Sequence, residues 1–199
     1  MKKIYIVLTH TGTVLSRIIR SFTKDEFTHS SISLDENLKQ LYSFGRLNPY
    51  NPFIGGFIHE NIKYGTFNRF KNTNAKIYSI IVTDEQYKKI HNTIFYIKKN
   101  KDNYKFNIMG LFAVSIKKKI YRKNYFYCAE FVKYVLESCE IASNLPEIIR
   151  PENFKNLENN TLIYEGKLRN YNKNKTQKIR KIVHLNQNSL NAYKWYSLR

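Results

Sequence analysis

Cysteine is nearly absent from this chain. Two of its 199 residues, Cys128 and Cys139, are cysteines, too few for a disulfide framework, which points to a reducing compartment. There is no paired CxxC and no HExxH, and the histidines are scattered, so the sequence indicates neither a metal site nor another cofactor. No GxxxxGK[ST] or GxGxxG run cradles a phosphate. Long apolar runs are missing too: nothing approaches the roughly 20 residues that cross a bilayer. The opening Met1-Lys2-Lys3-Ile4-Tyr5-Ile6-Val7-Leu8 is interrupted by Thr9 and His10 with no small-residue cleavage site. It reads as a first strand rather than a signal peptide, and a cytoplasmic chain without a transmembrane segment is expected.

Acidic residues are also scarce, 15 against 34 Lys and Arg, for a net charge of +19, and none follows Glu165. Beyond it stand Lys167, Arg169, Lys173, Lys175, Lys178, Arg180, Lys181, Lys194 and Arg199. Such a charge suits nucleic acid, an anionic membrane surface or an acidic partner. The abundance of Asn, Ile, Tyr and Lys equally fits an AT-rich coding sequence and a solvated surface. The basic tail is where a polyanion contact is expected.

The length suits one domain with a proper core. We place it at residues 1–170, with a basic C-terminal extension at 171–199. Strands are expected at 3–8, 27–34, 38–44, 76–82 and 161–168. The hairpin turn Asp35-Glu36-Asn37 joins the second and third. Residues 45–74 are rich in Gly, Pro and Asn and read as loops, with a short strand near 62–67. Helical spacing occurs over 13–21, and again after Thr83-Asp84-Glu85-Gln86, a capping box. The second helix runs to about Asn100 with Tyr87, Ile90, Ile94 and Ile97 inward. An apolar segment at 108–116 and a basic turn at 117–123 follow. Arg150-Pro151-Glu152-Asn153-Phe154 resembles a short helix opened by proline. Grouped strands beside helices argue an α+β fold.

After Cys128, apolar residues recur at 131, 132, 135 and 136, while Glu130, Lys133 and Glu137 fall outside. Cys128 therefore opens a helix, where unpaired N–H groups and the helix dipole favour a thiolate. Cys139, about three turns on, reads as packing. A cysteine nucleophile needs a base. Of the five histidines, His10 ends the first strand, His59 lies in the Gly-rich region, His91 is on the long helix and His184 is in the tail. His29 stands out because strand alternation puts it on one face with Ser31 and Ser33. Ser43, one strand later, could accept from the imidazole and fix its tautomer.

Three segments together carry a resemblance over roughly residues 3–168. Phe126-Tyr127-Cys128-Ala129-Glu130-Phe131-Val132 resembles the nucleophile motif of the circularly permuted branch of NlpC/P60 papain-like cysteine amidases and peptidases, YiiX/YaeF-like proteins related to lecithin retinol acyltransferase-like enzymes. Phe27-Thr28-His29-Ser30-Ser31-Ile32, with the helix before it, resembles the histidine strand. Arg150-Pro151-Glu152-Asn153-Phe154 resembles the closing turn. The resemblance implies a permuted papain-like fold, an antiparallel sheet against helices with the nucleophile at a helix N-terminus. It implies Cys128 as nucleophile, His29 as general base and Ser43 in the third position, where the family often has a stronger polar residue. Tyr104 would help bind the oxyanion or substrate, and Glu130 would be structural. The expected activity is cleavage of an amide or ester bond in a small peptide-like or acyl substrate, with acyl transfer as a variant. Two readings stay open beside it: a nucleic-acid-binding module using the tail and tyrosines, and an inactive papain-like scaffold serving as an interaction protein.

Overall fold

The computed structural model describes residues 1–48, 50–141 and 144–172. Strand β1 (Lys2–His10) is buried over Ile4–Thr9 because it lies in the interior of a sheet. Helix α1 (Val14–Thr23) starts where the Thr13 hydroxyl accepts the N–H of Ser16, and ends at Lys24 in the left-handed region, φ 57°. Strands β2 (His29–Ser33), β3 (Leu41–Asn48) and β4 (Asn51–Glu60) then form an antiparallel meander.

The short helix α2 (Gly65–Arg69) leads to β5 (Asn74–Val82) and helix α3 (Asp84–Lys99). The capping box is present in full: Gln86 N–H donates to Thr83 Oγ1 at 3.1 Å and Thr83 N–H to Gln86 Oε1 at 3.0 Å. A two-residue strand β6 (Lys105–Phe106), helix α4 (Ile108–Ser115) and β7 (Tyr125–Phe126) precede helix α5 (Cys128–Glu137). Strand β8 (Asn160–Lys167) closes the described order.

Six strands form one antiparallel sheet, ordered β4-β3-β2-β1-β5-β8, and β6 pairs with β7 in parallel. The fold is α+β. Helices α3 and α5 bury Ile90, Ile94, Ile97, Phe131, Val132 and Val135 with Ile4, Ile6, Leu8, Ile32 and Phe44 from the sheet. Phe131 is central, its ring 5.3 Å from that of Phe44 and 5.7 Å from that of Phe57. Truncating such a side chain costs about 3–5 kcal/mol. A second cluster, including Tyr5, Val7, Ile77, Leu168 and Tyr171, also forms. Tyr171, assigned above to the extension, is thus packed into the domain, and residues 173–199 lie outside the described residues. Among the described residues no helix is long and apolar enough to cross a membrane.

The stretch 45–74 differs from its reading as loops. It carries the end of β3 and the ten residues of β4, and the strand expected near 62–67 is replaced by α2. Gly55 marks a close approach of two chain segments and not a turn: a Cβ there would lie 2.7 Å from Phe106 Cγ. This contact brings β4 against β6, and with it the end of β3–β4 toward the start of α5.

Candidate active site

The strand carrying His29 is tied at its start by the Arg150–Glu152 segment. Phe27 N–H donates to Glu152 Oε1 at 2.7 Å, and Arg150 pairs with Asp25 at 3.0 Å. Phe27 itself is buried. The proline-led turn, remote in sequence, therefore fixes where β2 begins.

The helix that Cys128 opens is held at the other end of the site. Glu130 Oε2 accepts the N–H of Tyr127 at 3.1 Å and is bonded by Asn107 Nδ2 at 3.2 Å. Asn107 Oδ1 in turn accepts Gly110 N–H at 3.0 Å and so caps α4. Burial pushes the Glu130 carboxyl up, against the two hydrogen bonds that lower it. Tyr127 donates its hydroxyl proton to the carbonyl of Ile149 at 2.8 Å. Glu130 thus joins the first turns of α4 and α5, in line with the structural role given to it from the sequence. Cys128, buried, is the first residue of α5, where the leading N–H groups have no partner within the helix.

Cys128 and His29 meet. Both side chains line one cavity, and the thiol is near enough to favour the imidazolium. On its other side His29 Nε2 stands 2.8 Å from Glu60 Oε1 and 3.3 Å from Ser31 Oγ, and Ser31 Oγ donates to Glu60 Oε2. With Nε2 committed to Glu60, Nδ1 is the ring nitrogen left to the thiol. The side chains of His29 and Glu60 are 20% and 8% exposed, so this pair is only weakly screened by water. Burial works against the imidazolium. The Glu60 carboxylate and hydrogen bonds to Cys128 and Glu60 outweigh it, and the His29 pKa is raised to about 10.

Two expected site residues are not part of this constellation. Ser43 does not orient the imidazole: fully buried, its hydroxyl donates to the carbonyl of Ser30 at 2.7 Å, a bond that ties β3 to β2. Glu60 stands at His29 instead. Tyr104 is not among the residues lining the cavity. Its ring stacks on Phe126 at 6.1 Å, and burial together with the neighbouring Tyr134 and Tyr96 hydroxyls pushes its pKa up. It belongs to an aromatic cluster with Phe126 and Tyr134.

The other described histidines are engaged elsewhere. His10 Nδ1 lies 3.4 Å from Thr28 Oγ1, with its pKa lowered by burial and by Arg20. His59 Nε2 is 2.7 Å from the carbonyl of Lys39, and His91 stacks on Phe95 at 4.2 Å. His184 lies outside the described residues. Cys139 is buried beside α5, its Sγ 3.1 Å from the carbonyl of Leu136, and burial pushes its thiol up to about 11.

Glu60 was missed by sequence reasoning because its segment reads as a loop. The signal was a carboxylate directly after His59 at the end of an alternating stretch. The cavity measures about 70 Å³ and is walled by Ser16 and Ile19 of α1, Phe44 to Arg46 of β3, Phe106 and Leu111. A cysteine with an adjacent imidazole and a carboxylate behind it, facing such a cavity, can carry out acyl transfer through a thioester.

No family model matches the chain, and no curated protein matches it in sequence. Among solved structures it is similar to the metalloprotein YiiX of Escherichia coli O157:H7, with a TM-score of 0.52 at 13% identity, covering 82% of this chain and 97% of that one. The likeness shows a YiiX-like fold. YiiX is described as a metalloprotein; among the described residues of this chain no group of three or more His, Cys, Asp or Glu side chains could hold a metal ion. His29 and Glu60 are bonded to each other, so the residues do not fit a metal and no step is assigned to one.

Proposed function

We propose that this chain is a cysteine hydrolase of the permuted papain-like type, cleaving an amide or ester bond through an acyl-enzyme. The observation that carries the reading is that Cys128 and His29 line one cavity, with His29 Nε2 held by Glu60 at 2.8 Å. Cys128 and His29 react as a thiolate–imidazolium pair. Sulfur attacks the carbonyl carbon, and the developing oxyanion meets the N–H groups at the start of α5. As the tetrahedral adduct collapses, the bond to the amine or alcohol breaks and the leaving group takes the proton of His29. Neutral His29 then accepts a proton from water, whose oxygen attacks the thioester. The carboxylic acid departs and the thiol–imidazole pair is restored. Glu60 keeps the ring in one orientation and tautomer throughout. Two free cysteines, both buried, suit a reducing cytoplasm.

The test is a chromogenic nitrophenyl ester with intact-mass detection. The expected result is a chain heavier by one acyl group, with the adduct on Cys128, and loss of turnover in Cys128→Ser. Nitrophenolate release that persists unchanged in Cys128→Ser would overturn the proposal.

A further inference from the structure

Helix α4 is short and apolar, Ile108-Met109-Gly110-Leu111-Phe112-Ala113-Val114-Ser115, and only part of it is buried. Leu111 turns to the cavity of Cys128. Met109, Phe112 and Ile116, spaced by three and four residues on one helix face, are 55%, 43% and 63% exposed. Helix α1 packs against α4. Its Ile19 lines the same cavity, and Phe22, one turn further on, is 65% exposed. A stripe of large apolar side chains facing solvent beside a site marks an interaction surface.

Its surroundings are predominantly cationic. No acidic residue occurs before Asp25 or between Asn103 and Ala129. Arg17, Arg20 and Lys24 on and after α1, and Lys117, Lys118, Arg122 and Lys123 after α4, are all exposed. Between them, Lys119 pairs with the carboxylate of Glu147 at 2.9 Å. The tail from Lys173 onward has no acidic residue either, so the same cations disfavour it as the cover.

We infer that the α1–α4 surface docks on an anionic lipid bilayer, with Phe22, Met109, Phe112 and Ile116 entering the headgroup–acyl boundary and the lysines and arginines lying on the phosphates. An apolar stripe with a cationic rim is the pattern of interfacial binding. It would hold the mouth of the Cys128 cavity at the membrane surface. The inference does not depend on Cys128 being a nucleophile, and Cys128→Ala should bind as the wild type does.

The experiment is sedimentation of the full chain with vesicles of phosphatidylcholine mixed with phosphatidylglycerol, and of phosphatidylcholine alone. The wild type should pellet with the mixed vesicles and much less with the neutral ones. Phe112→Ser with Ile116→Ser should weaken binding to mixed vesicles about tenfold or more. Lys117→Glu with Lys118→Glu, on exposed side chains, should weaken it comparably and tests the idea even where the apolar variant is unstable. An unchanged rate of Cys128 alkylation in each variant establishes that it is folded. Wild-type chain that stays in the supernatant, or binding that survives the apolar substitutions in a folded variant, overturns the inference; the second result leaves charge alone as the cause, as for a nucleic acid.

Discussion

Glu60 Oε1 lies 2.8 Å from His29 Nε2, although β3 separates the two strands that carry them. A Cβ at Gly45 of β3 would press mainly on Ile58 Cδ1, at 3.1 Å, and touch His29 Cε1 at 3.4 Å. The carboxylate is the principal cause that outweighs burial of the imidazolium. Glu60→Gln keeps the shape and removes the charge. The His29 pKa is expected to move down by about one to three pH units, read from the imidazole proton shift in a titration by NMR. Turnover of an ester should fall at least about tenfold, with rescue by Glu60→Asp weaker than full. A titration that does not move would show that Glu60 is not the controlling charge.

The two thiols should differ in reactivity although both are buried. Cys128 has an imidazole neighbour, whereas Cys139 lies against the carbonyls of Val135 and Leu136 and burial pushes its thiol up to about 11. Iodoacetamide near neutral pH should alkylate Cys128 at least about tenfold faster than Cys139. His29→Ala should erase the difference. Peptide mapping by mass spectrometry reads both sites in one sample.

Stability should depend on pH through the same pair. His29 has an ordinary value of 6.5 and a folded value raised to about 10. A raised imidazole pKa means that the folded state binds the proton more tightly than the unfolded chain. Its contribution is complete below pH 6.5 and is lost as pH rises toward 10. The urea-unfolding difference between wild type and His29→Gln should therefore shrink between those limits, and a difference that grows with pH would contradict the assignment.

Much of the site was legible from local signals, and what was lost was lost for one reason. Cys128 opening a helix, the His29 strand and the Thr83 capping box each depend on residues within a turn or two of one another. Glu60 depends on strand register across β3 and β4, and that register hinges on reading a strand through Pro52, Gly55 and Gly56. Those residues suggest a loop when taken alone, yet Gly55 is small because Phe106 lies against it. Ser43 was sought on the correct neighbouring strand, but the hydroxyl is taken by the carbonyl of Ser30. Tyr104 was carried over by likeness of sequence, and its ring is packed with Phe126 instead.

The buried Glu130 is a structural test of how α4 and α5 are held together. Glu130→Ala frees the N–H of Tyr127 and takes one of two partners from Asn107 Nδ2, which keeps the carbonyl of Ile120. Leaving a buried donor unpaired costs about 1–3 kcal/mol. Glu130→Gln retains an acceptor and should lose less. Urea denaturation gives both values. Because the helix start shifts with its cap, Cys128 alkylation should slow in the alanine variant more than in the glutamine one.

Gly55 supplies the sharpest packing prediction. An added Cβ would sit 2.7 Å from Phe106 Cγ and 2.9 Å from the carbonyl oxygen of Gly45. The second of these atoms is backbone and cannot rotate away, so β4 must shift relative to β3 and β6. Overpacking of this kind costs about 1–3 kcal/mol. Glu60 is on the displaced strand, and a Cβ at Gly45 would lie 3.4 Å from His29 Cε1, so the strain reaches the Cys128–His29 pair. Gly55→Ala should thus lower both the unfolding free energy and the ester turnover. Phe106→Leu, introduced with it, removes part of the ring that the new methyl meets. The double variant should recover part of the loss in each measurement; if it loses as much as the two single changes added together, the contact between β4 and β6 is not what requires glycine at this position.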